Sequence, residues 1–292
     1  MHTLKKMQLF DYLNYLFLFG FSCVMLYPLL YVFSISVSDG EAVWRQSVKL
    51  FPIGFNLEPY EAIARSNSVL RAYRNSITYT VLGTAFTLIA CLLAAYPLSE
   101  PRFRLRGPIS LVLGLTLFFS AGLIPTYLTY QGYGLLNTTW VIVLPVAFNF
   151  WFIILVRANI STIPRELKDA ARVDGASDFR ILLQIIVPLS KPILATIALF
   201  VAVAVWNDFF NPLLYLNNSE KFPLTIMLRR MLIRGATGDV VQGNYSDTLQ
   251  AKSFFRQVKM ATVIVTTGPI LLVYPFVQKY FVRGTLVGAI KG

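Results

Sequence analysis

Charged residues are scarce in this chain. Only 14% of the 292 residues are Asp, Glu, Lys or Arg, against about 25% in a typical soluble domain, and 56% are hydrophobic. This composition excludes an ordinary water-soluble globular protein, because a chain of this length cannot hide so much apolar surface in one core. Lipid is therefore the expected solvent for most of the chain.

Histidine, cysteine and phosphate-binding loops are scarce or missing as well. His2 is the only histidine, and no Gly-x-x-x-x-Gly-Lys-Ser/Thr sequence occurs. Cys23 and Cys91 both lie in apolar runs, where we expect two separate thiols rather than a disulfide or a metal pair. The sequence therefore predicts no catalytic residue, no metal site and no cofactor in this chain.

Six long apolar runs are present, and most have about the 20 residues that a helix needs to cross a bilayer. They cover residues 12–37, 77–98, 109–127, 140–156, 193–216 and 260–280. Backbone polar groups in lipid must pair within their own segment, so an all-α membrane protein with six transmembrane helices is predicted. A cleaved signal peptide is the alternative for the first run, which is much longer than a signal sequence requires.

Lysine and arginine are distributed unevenly between the segments that join the runs. With a cytoplasmic N-terminus, 14 of the 26 basic residues fall on the inside, as the positive-inside rule requires. Both termini are then cytoplasmic, 38–76 and 217–259 are long outer segments, and 157–191 is the one substantial inner loop. This topology accounts for the net charge of +12 without nucleic acid, since no basic stripe with interleaved aromatics occurs in a soluble stretch.

The inner loop has the pattern of two short helices joined by a tight turn. Leu167, Ala170 and Asp174 share one face of the first helix, and Gly175 is suited to the left-handed conformation that ends a helix. Ser177 is suited to begin the second helix, with Phe179 on an apolar stripe. Such a surface suits the docking of another protein, although an interfacial amphipathic helix that merely connects two spans has the same pattern.

The loop resembles the EAA loop of importer-type ABC permeases, whose pattern is Glu-Ala-Ala, three residues, Gly, nine residues and Ile-x-Leu-Pro. Asp replaces Glu and Val replaces Leu in this chain, and the shorter carboxylate leaves its pairing partner open. The positions that carry the resemblance are Asp169, Ala170, Ala171, Gly175, Ile185, Val187 and Pro188.

Two further segments extend the resemblance over most of the chain. Residues 206–209 with 212–213 are similar to the fifth-span pattern of sugar permeases, and 283–292 looks like the tail of the smaller permease of maltose-type importers. The resemblance implies a type I importer fold in one domain, 1–292, with a family core of about 70–281. It also implies a multi-pass location in the cytoplasmic (inner) membrane of a bacterium.

In that family the EAA loop contacts a separate ATPase, which binds ATP and Mg. The resemblance implies as partners a second, different permease, two ATPase subunits and an extracytoplasmic solute-binding protein. The residues expected to contact the ATPase are Asp169, Ala170, Ala171, Asp174, Gly175, Ala176 and Phe179.

Polar residues within the spans are few, and Asp208 is the only carboxylate. A carboxylate in lipid is costly and faces the bundle interior or an aqueous path. Either helix packing or the solute path is therefore expected for Asn149, Asn207, Asp208 and Asn211.

The outer segment 217–259 mixes arginine with aromatic residues, and a binding-protein docking role or a solvated loop is possible. In the resembled family this loop reaches the binding protein, which implies docking by Arg229, Arg230, Arg234 and Tyr245.

The predicted function is that of the permease subunit of an ATP-driven importer for sugars or oligosaccharides, including acidic fragments such as those of alginate. The main alternative is a stand-alone secondary transporter or channel driven by an ion gradient. That class predicts ionisable residues deep in several spans, whereas only one is found here.

Overall fold

The computed structural model describes residues 9–234 and 249–289, and within this part every regular element is a helix. The α-helices are α1 Leu9–Val37, α2 Gly40–Trp44, α3 Glu58–Arg65, α4 Asn67–Ser99, α5 Arg106–Phe118, α6 Leu123–Gly132, α7 Trp140–Ala147, α8 Phe150–Thr162, α9 Arg165–Val173, α10 Asp178–Ile181, α11 Val187–Leu189, α12 Lys191–Asn207, α13 Phe210–Tyr215, α14 Leu224–Arg234 and α15 Leu249–Ala289. A π-helical turn, Leu182–Ile186, joins α10 to α11, and a 3₁₀ turn, Ser219–Lys221, precedes α14.

Two of the described helices, α1 and α4, are each long and apolar enough to cross a membrane. Two bent pairs meet the same test if each is counted as one span. These are α7 with α8, bent by 43°, and Asp178–Leu189 with α12, bent by 79°. The sequence located these apolar stretches but not their breaks, because periodicity does not show where a helix is interrupted.

The third predicted span, 109–127, is not one helix. It is divided between α5 and α6, with Phe119 extended and Gly122 in the left-handed region at φ 79°. Such a backbone cannot continue an α-helix, so the prediction of an unbroken span was wrong here. The sixth predicted span, 260–280, falls within α15.

The chain divides into two compact units, and the first comprises Met1–Leu70 and Leu228–Gly268. Along most of its length α1 exposes apolar side chains, as a lipid-facing helix does, and it buries only its last residues. Ile35 packs there with Val43 and Val48. Gln257, which is 1% exposed, donates from Nε2 to the carbonyl of Ser38.

The second unit comprises Arg71–Met227 and Pro269–Gly292, and it contains the larger hydrophobic core. Cys91 of α4, Ile160 of α8, Ile181 of α10 and Ile197 of α12 are completely buried in this core. Cys91 is a free thiol, and so is Cys23 of the first unit. The inner loop is therefore anchored to the core through α10 rather than lying loosely on the surface.

Candidate functional site

The segment between α8 and α12 contains the predicted turn. Pro164 directly precedes α9, and the helix ends where Ala176 N donates to Ala171 O at 2.9 Å and Gly175 N donates to Arg172 O at 3.0 Å. These two bonds form a Schellman motif, which requires a left-handed residue after the helix. Gly175 supplies it with φ 79°, so the prediction of a glycine-ended helix is confirmed.

The second helix of the loop begins as predicted, and the apolar side chains that follow are partly buried and partly exposed. The Ser177 side chain caps α10 by accepting a hydrogen bond from Arg180 N at 3.3 Å. The π-helical turn Leu182–Ile186 then has more residues per turn than an α-helix, which shifts the register. Leu182 and Ile186, its first and last residues, are buried, whereas Phe179 and Leu183 are exposed.

An apolar surface of this loop faces outward from the second unit. We call it the exposed face, and its large members are Leu167, Val173 and Phe179, which are 48%, 88% and 62% exposed. Of the predicted contact residues, Asp169, Ala170, Asp174, Gly175 and Phe179 are exposed, while Ala171 and Ala176 are half-buried against the core. Sequence reasoning missed Val173, the most exposed apolar side chain of the loop.

The opposite side of α9 is basic and faces inward. Lys168 is only 6% exposed, and its Nζ donates to Glu100 Oε1 at 3.0 Å. Arg172 Nη2 donates to the other oxygen of the same carboxylate, also at 3.0 Å. Glu100 follows the last residue of α4, so these ion pairs fasten α9 to the end of a membrane helix. The sequence had suggested no role for Glu100, because its partners lie about 70 residues away along the chain.

The electrostatics of this cluster favour the charged forms of Glu100 and Arg172. Burial raises the pKa of Glu100, but hydrogen bonds from Lys168 and Arg172 outweigh burial and bring the pKa below its usual value. The Glu100 carboxylate likewise raises the pKa of Arg172. Asp169, whose pairing partner the sequence left open, accepts from Arg172 Nη1 at 3.2 Å, and its side chain is still 56% exposed.

Two polar residues of the apolar stretches, Asn149 and Asp208, sit at breaks between helices. Asn149 caps α8 by accepting from Trp151 N at 3.0 Å. Asp208 occupies the break between α12 and α13, where its Oδ1 accepts from Phe210 N at 3.0 Å and from Asn211 N at 3.1 Å. An interrupted helix leaves backbone N–H groups unpaired, and these side chains pair them.

The amides near Asp208 complete this arrangement. Asn211 Nδ2 donates to Asp208 Oδ2 at 2.7 Å, and Asn207 Nδ2 donates to Val203 O at 2.9 Å. Asn207 and Asn211 are exposed, together with Phe209 and Phe210. Asp208 thus has a capping role within its own segment, and a place of these residues in the solute path stays a prediction.

The predicted docking residues are only partly described. Arg229 and Arg230 are half-buried on α14, a helix in what the sequence had suggested was a loop. The side chain of Arg234 and all of Tyr245 lie outside the described residues. Their docking role stays a prediction.

Residues 8–287 match the model of the family described as "Binding-protein-dependent transport system inner membrane component". The chain belongs to this family. Membership confirms the resemblance and the all-α type I permease fold of a membrane protein, and it favours a binding-protein-dependent permease over a stand-alone transporter.

The permease is similar along its whole length to proteins of Bacillus subtilis (strain 168). It is 39% identical to Protein LplC, covering 100% of this chain and 98% of that protein. It is 37% identical to the polygalacturonan/rhamnogalacturonan transport system permease protein YtcP, covering 98% of this chain and 100% of YtcP.

A solved structure supports the same fold. The permease is 35% identical to a chain in the crystal structure of a bacterial ABC transporter involved in the import of the acidic polysaccharide alginate. The TM-score is 0.86, and the match covers 93% of this chain and 96% of that one.

Proposed function

We propose that this permease is one of two different membrane subunits of an ATP-driven importer for oligosaccharides, and that it couples to a separate ATPase through α9 and α10. The observation that carries the coupling role is the exposed face. Val173 is 88% exposed and Phe179 is 62% exposed, yet both belong to a loop whose other side is fixed to the core. Apolar side chains held rigidly at a surface favour association with a protein partner.

In this proposal the membrane path and ATP hydrolysis belong to different subunits. The residues of this chain provide the membrane path and the docking loop, while ATP and Mg bind to two ATPase subunits and hydrolysis takes place there. An extracytoplasmic binding protein delivers the solute. The basic inner loop and the exposed face lie on the cytoplasmic side in this proposal, because the ATPase is there. With six spans, both termini then lie on the same side.

The proposed substrates are acidic oligosaccharides, the fragments of uronate polysaccharides. Two relatives support this class, since YtcP is described as transporting polygalacturonan and rhamnogalacturonan, and the solved transporter imports alginate. Exposed amides and aromatic rings at the break after α12 suit sugar hydroxyls and sugar faces. The Asp208 carboxylate, which would repel a uronate, is instead engaged by two backbone amides and an asparagine.

Substitution of the exposed face tests the coupling role. Val173→Asp places a charge where an apolar contact is proposed, and the side chain is too exposed for the change to disturb the core. We expect the variant to lose its ATPase partner during purification in detergent and to lose ATP-driven uptake in liposomes.

The matched control is Tyr133→Asp, which alters a residue that is 77% exposed between the third and fourth predicted spans, on the outer side in the predicted topology. It should retain both the ATPase and uptake. Full retention of the ATPase and of uptake by Val173→Asp would exclude the exposed face as the docking surface.

A further inference from the structure

Glu100 is the centre of a nearly buried cluster of charges at the end of α4. Its side chain is 14% exposed, and those of Lys168 and Arg172 are 7% and 25% exposed. Each carboxylate oxygen accepts from a different cation, and both cations belong to α9. Because Lys168 and Arg172 are four residues apart, they stand on the same side of the helix and hold it at two points.

The cluster also reaches the second helix of the loop. Arg172 Nη2 donates to Asp178 Oδ1 at 3.3 Å, and Tyr96 Oη donates to the same oxygen at 3.0 Å. Tyr96 is on α4, one turn before Glu100, and Asp178 is the first residue of α10. Both helices of the loop are therefore tied by hydrogen bonds to the last turn of α4.

Stability alone does not account for a cluster of this kind. Buried charges lose much of their hydration, and apolar residues of similar volume often pack in their place with equal or greater stability. What directed ion pairs add is a fixed geometry, because a carboxylate that bridges two cations allows little sliding or rotation of one helix against another. Leu167 and Val173 of the exposed face lie on the other side of the same helix, directly next to Lys168 and Arg172 along the chain.

We propose that Glu100 is a positioning residue that makes α9 and α4 move as one body, so that displacement of the exposed face is passed to the membrane helix. This inference rests on the proposed function, since it assigns the route by which the ATPase acts on the solute path. Loss of the carboxylate leaves the exposed face able to dock but loosens its connection to α4.

Glu100→Gln tests this route in the complete complex of both permeases, the ATPase and a binding protein loaded with a uronate oligosaccharide. The variant keeps the shape of the side chain and one acceptor, but it removes the charge that attracts both cations. We expect the ATPase to be retained and ATP hydrolysis to continue, while solute imported per ATP hydrolysed falls about fivefold or more.

The matched control is Glu61→Gln, the same substitution in an exposed ion pair on α3. There, Glu61 Oε2 lies 3.2 Å from Arg65 Nη2. This control should leave the ratio of transport to hydrolysis unchanged. Lys168→Met is the second variant and keeps the bond between Arg172 and Glu100, so we expect a smaller fall in the ratio. In the double variant the two effects should not add, because both remove the same connection.

The inference is overturned if Glu100→Gln imports as much solute per ATP hydrolysed as the wild type does. This holds even if the variant is less stable than the wild type. If Glu100→Gln fails to assemble, Lys168→Met decides, and a normal ratio in that variant overturns the inference. Failure of the proposed function has a different signature, because the wild-type complex itself would then show no ATP-driven uptake.

Discussion

Replacement of Gly175 isolates the backbone contribution of the turn between α9 and α10. The residue has φ 79°, and a Cβ built on it meets nothing within 4 Å. Alanine therefore introduces no collision, and its effect is the conformational cost of the left-handed region, about 1–2 kcal/mol. Valine costs more because it is β-branched, and asparagine costs less because it tolerates this region.

Hydrogen exchange of the turn measures this cost directly. The amides of Gly175 and Ala176 are protected by bonds to Arg172 O and Ala171 O. A loss of about 1–2 kcal/mol should speed their exchange by roughly five- to thirtyfold if they exchange by local opening. Mass spectrometry of a peptide that covers residues 170–178 gives the rates for the purified wild type and variants.

The matched control is Gly107→Ala, at a glycine within α5 whose added Cβ also meets nothing within 4 Å. Its backbone is helical, so the exchange of residues 170–178 should not change. The reasoning is refuted if Gly175→Ala exchanges at the wild-type rate, or if Gly175→Asn exchanges as fast as Gly175→Val.

Three other perturbations have expected outcomes. Ser177→Ala removes the cap of α10 and should lower the free energy of unfolding by about 1 kcal/mol. Denaturant titration measures this change, with Ser161→Ala at an exposed serine as the control. A Ser177→Ala variant as stable as the wild type would contradict the capping role. Asn137 has φ 59°, and its Oδ1 accepts from two backbone amides. Asn137→Ala should therefore lower the free energy of unfolding by about 1–3 kcal/mol, and Asn137→Asp should lower it much less. The same titration checks this order, which is contradicted if the aspartate variant is as destabilised as the alanine variant. The lowered pKa of Glu100 stabilises the fold at pH values above about 4.5, and this contribution is lost as the pH falls through the folded-state pKa. Between pH 7 and 3, the unfolding temperature of Glu100→Gln should therefore decrease less than that of the wild type. An identical decrease in both proteins would contradict this contribution.

Local signals in the sequence predicted the inner loop well. Gly175 and Ser177 act through backbone groups within a few residues of themselves, and the structure places both as expected. Four of the six apolar runs coincide with helices or bent helix pairs that are long and apolar enough to cross a membrane, since hydropathy is a property of each segment. The family membership confirms the fold that these signals indicated.

Contacts between residues that are far apart in the sequence could not be predicted. Nothing near Lys168 indicates that its ammonium group faces inward, because the carboxylate that pairs with it is 68 residues away. The breaks after Phe118 and Asn207 were missed because hydropathy identifies an apolar run but does not show where the backbone within it leaves the α-helix. The π-helical turn after α10 was not predicted for a similar reason, since period-based reasoning assumes a uniform helix.

The most direct measurement is solute uptake by liposomes that contain this permease, its partner permease and the ATPase, supplied with the binding protein and a uronate oligosaccharide. We predict that solute accumulates only when ATP is present with the ATPase, and that Val173→Asp abolishes accumulation. Equal uptake without ATP, or by liposomes that contain this permease alone, would contradict the account.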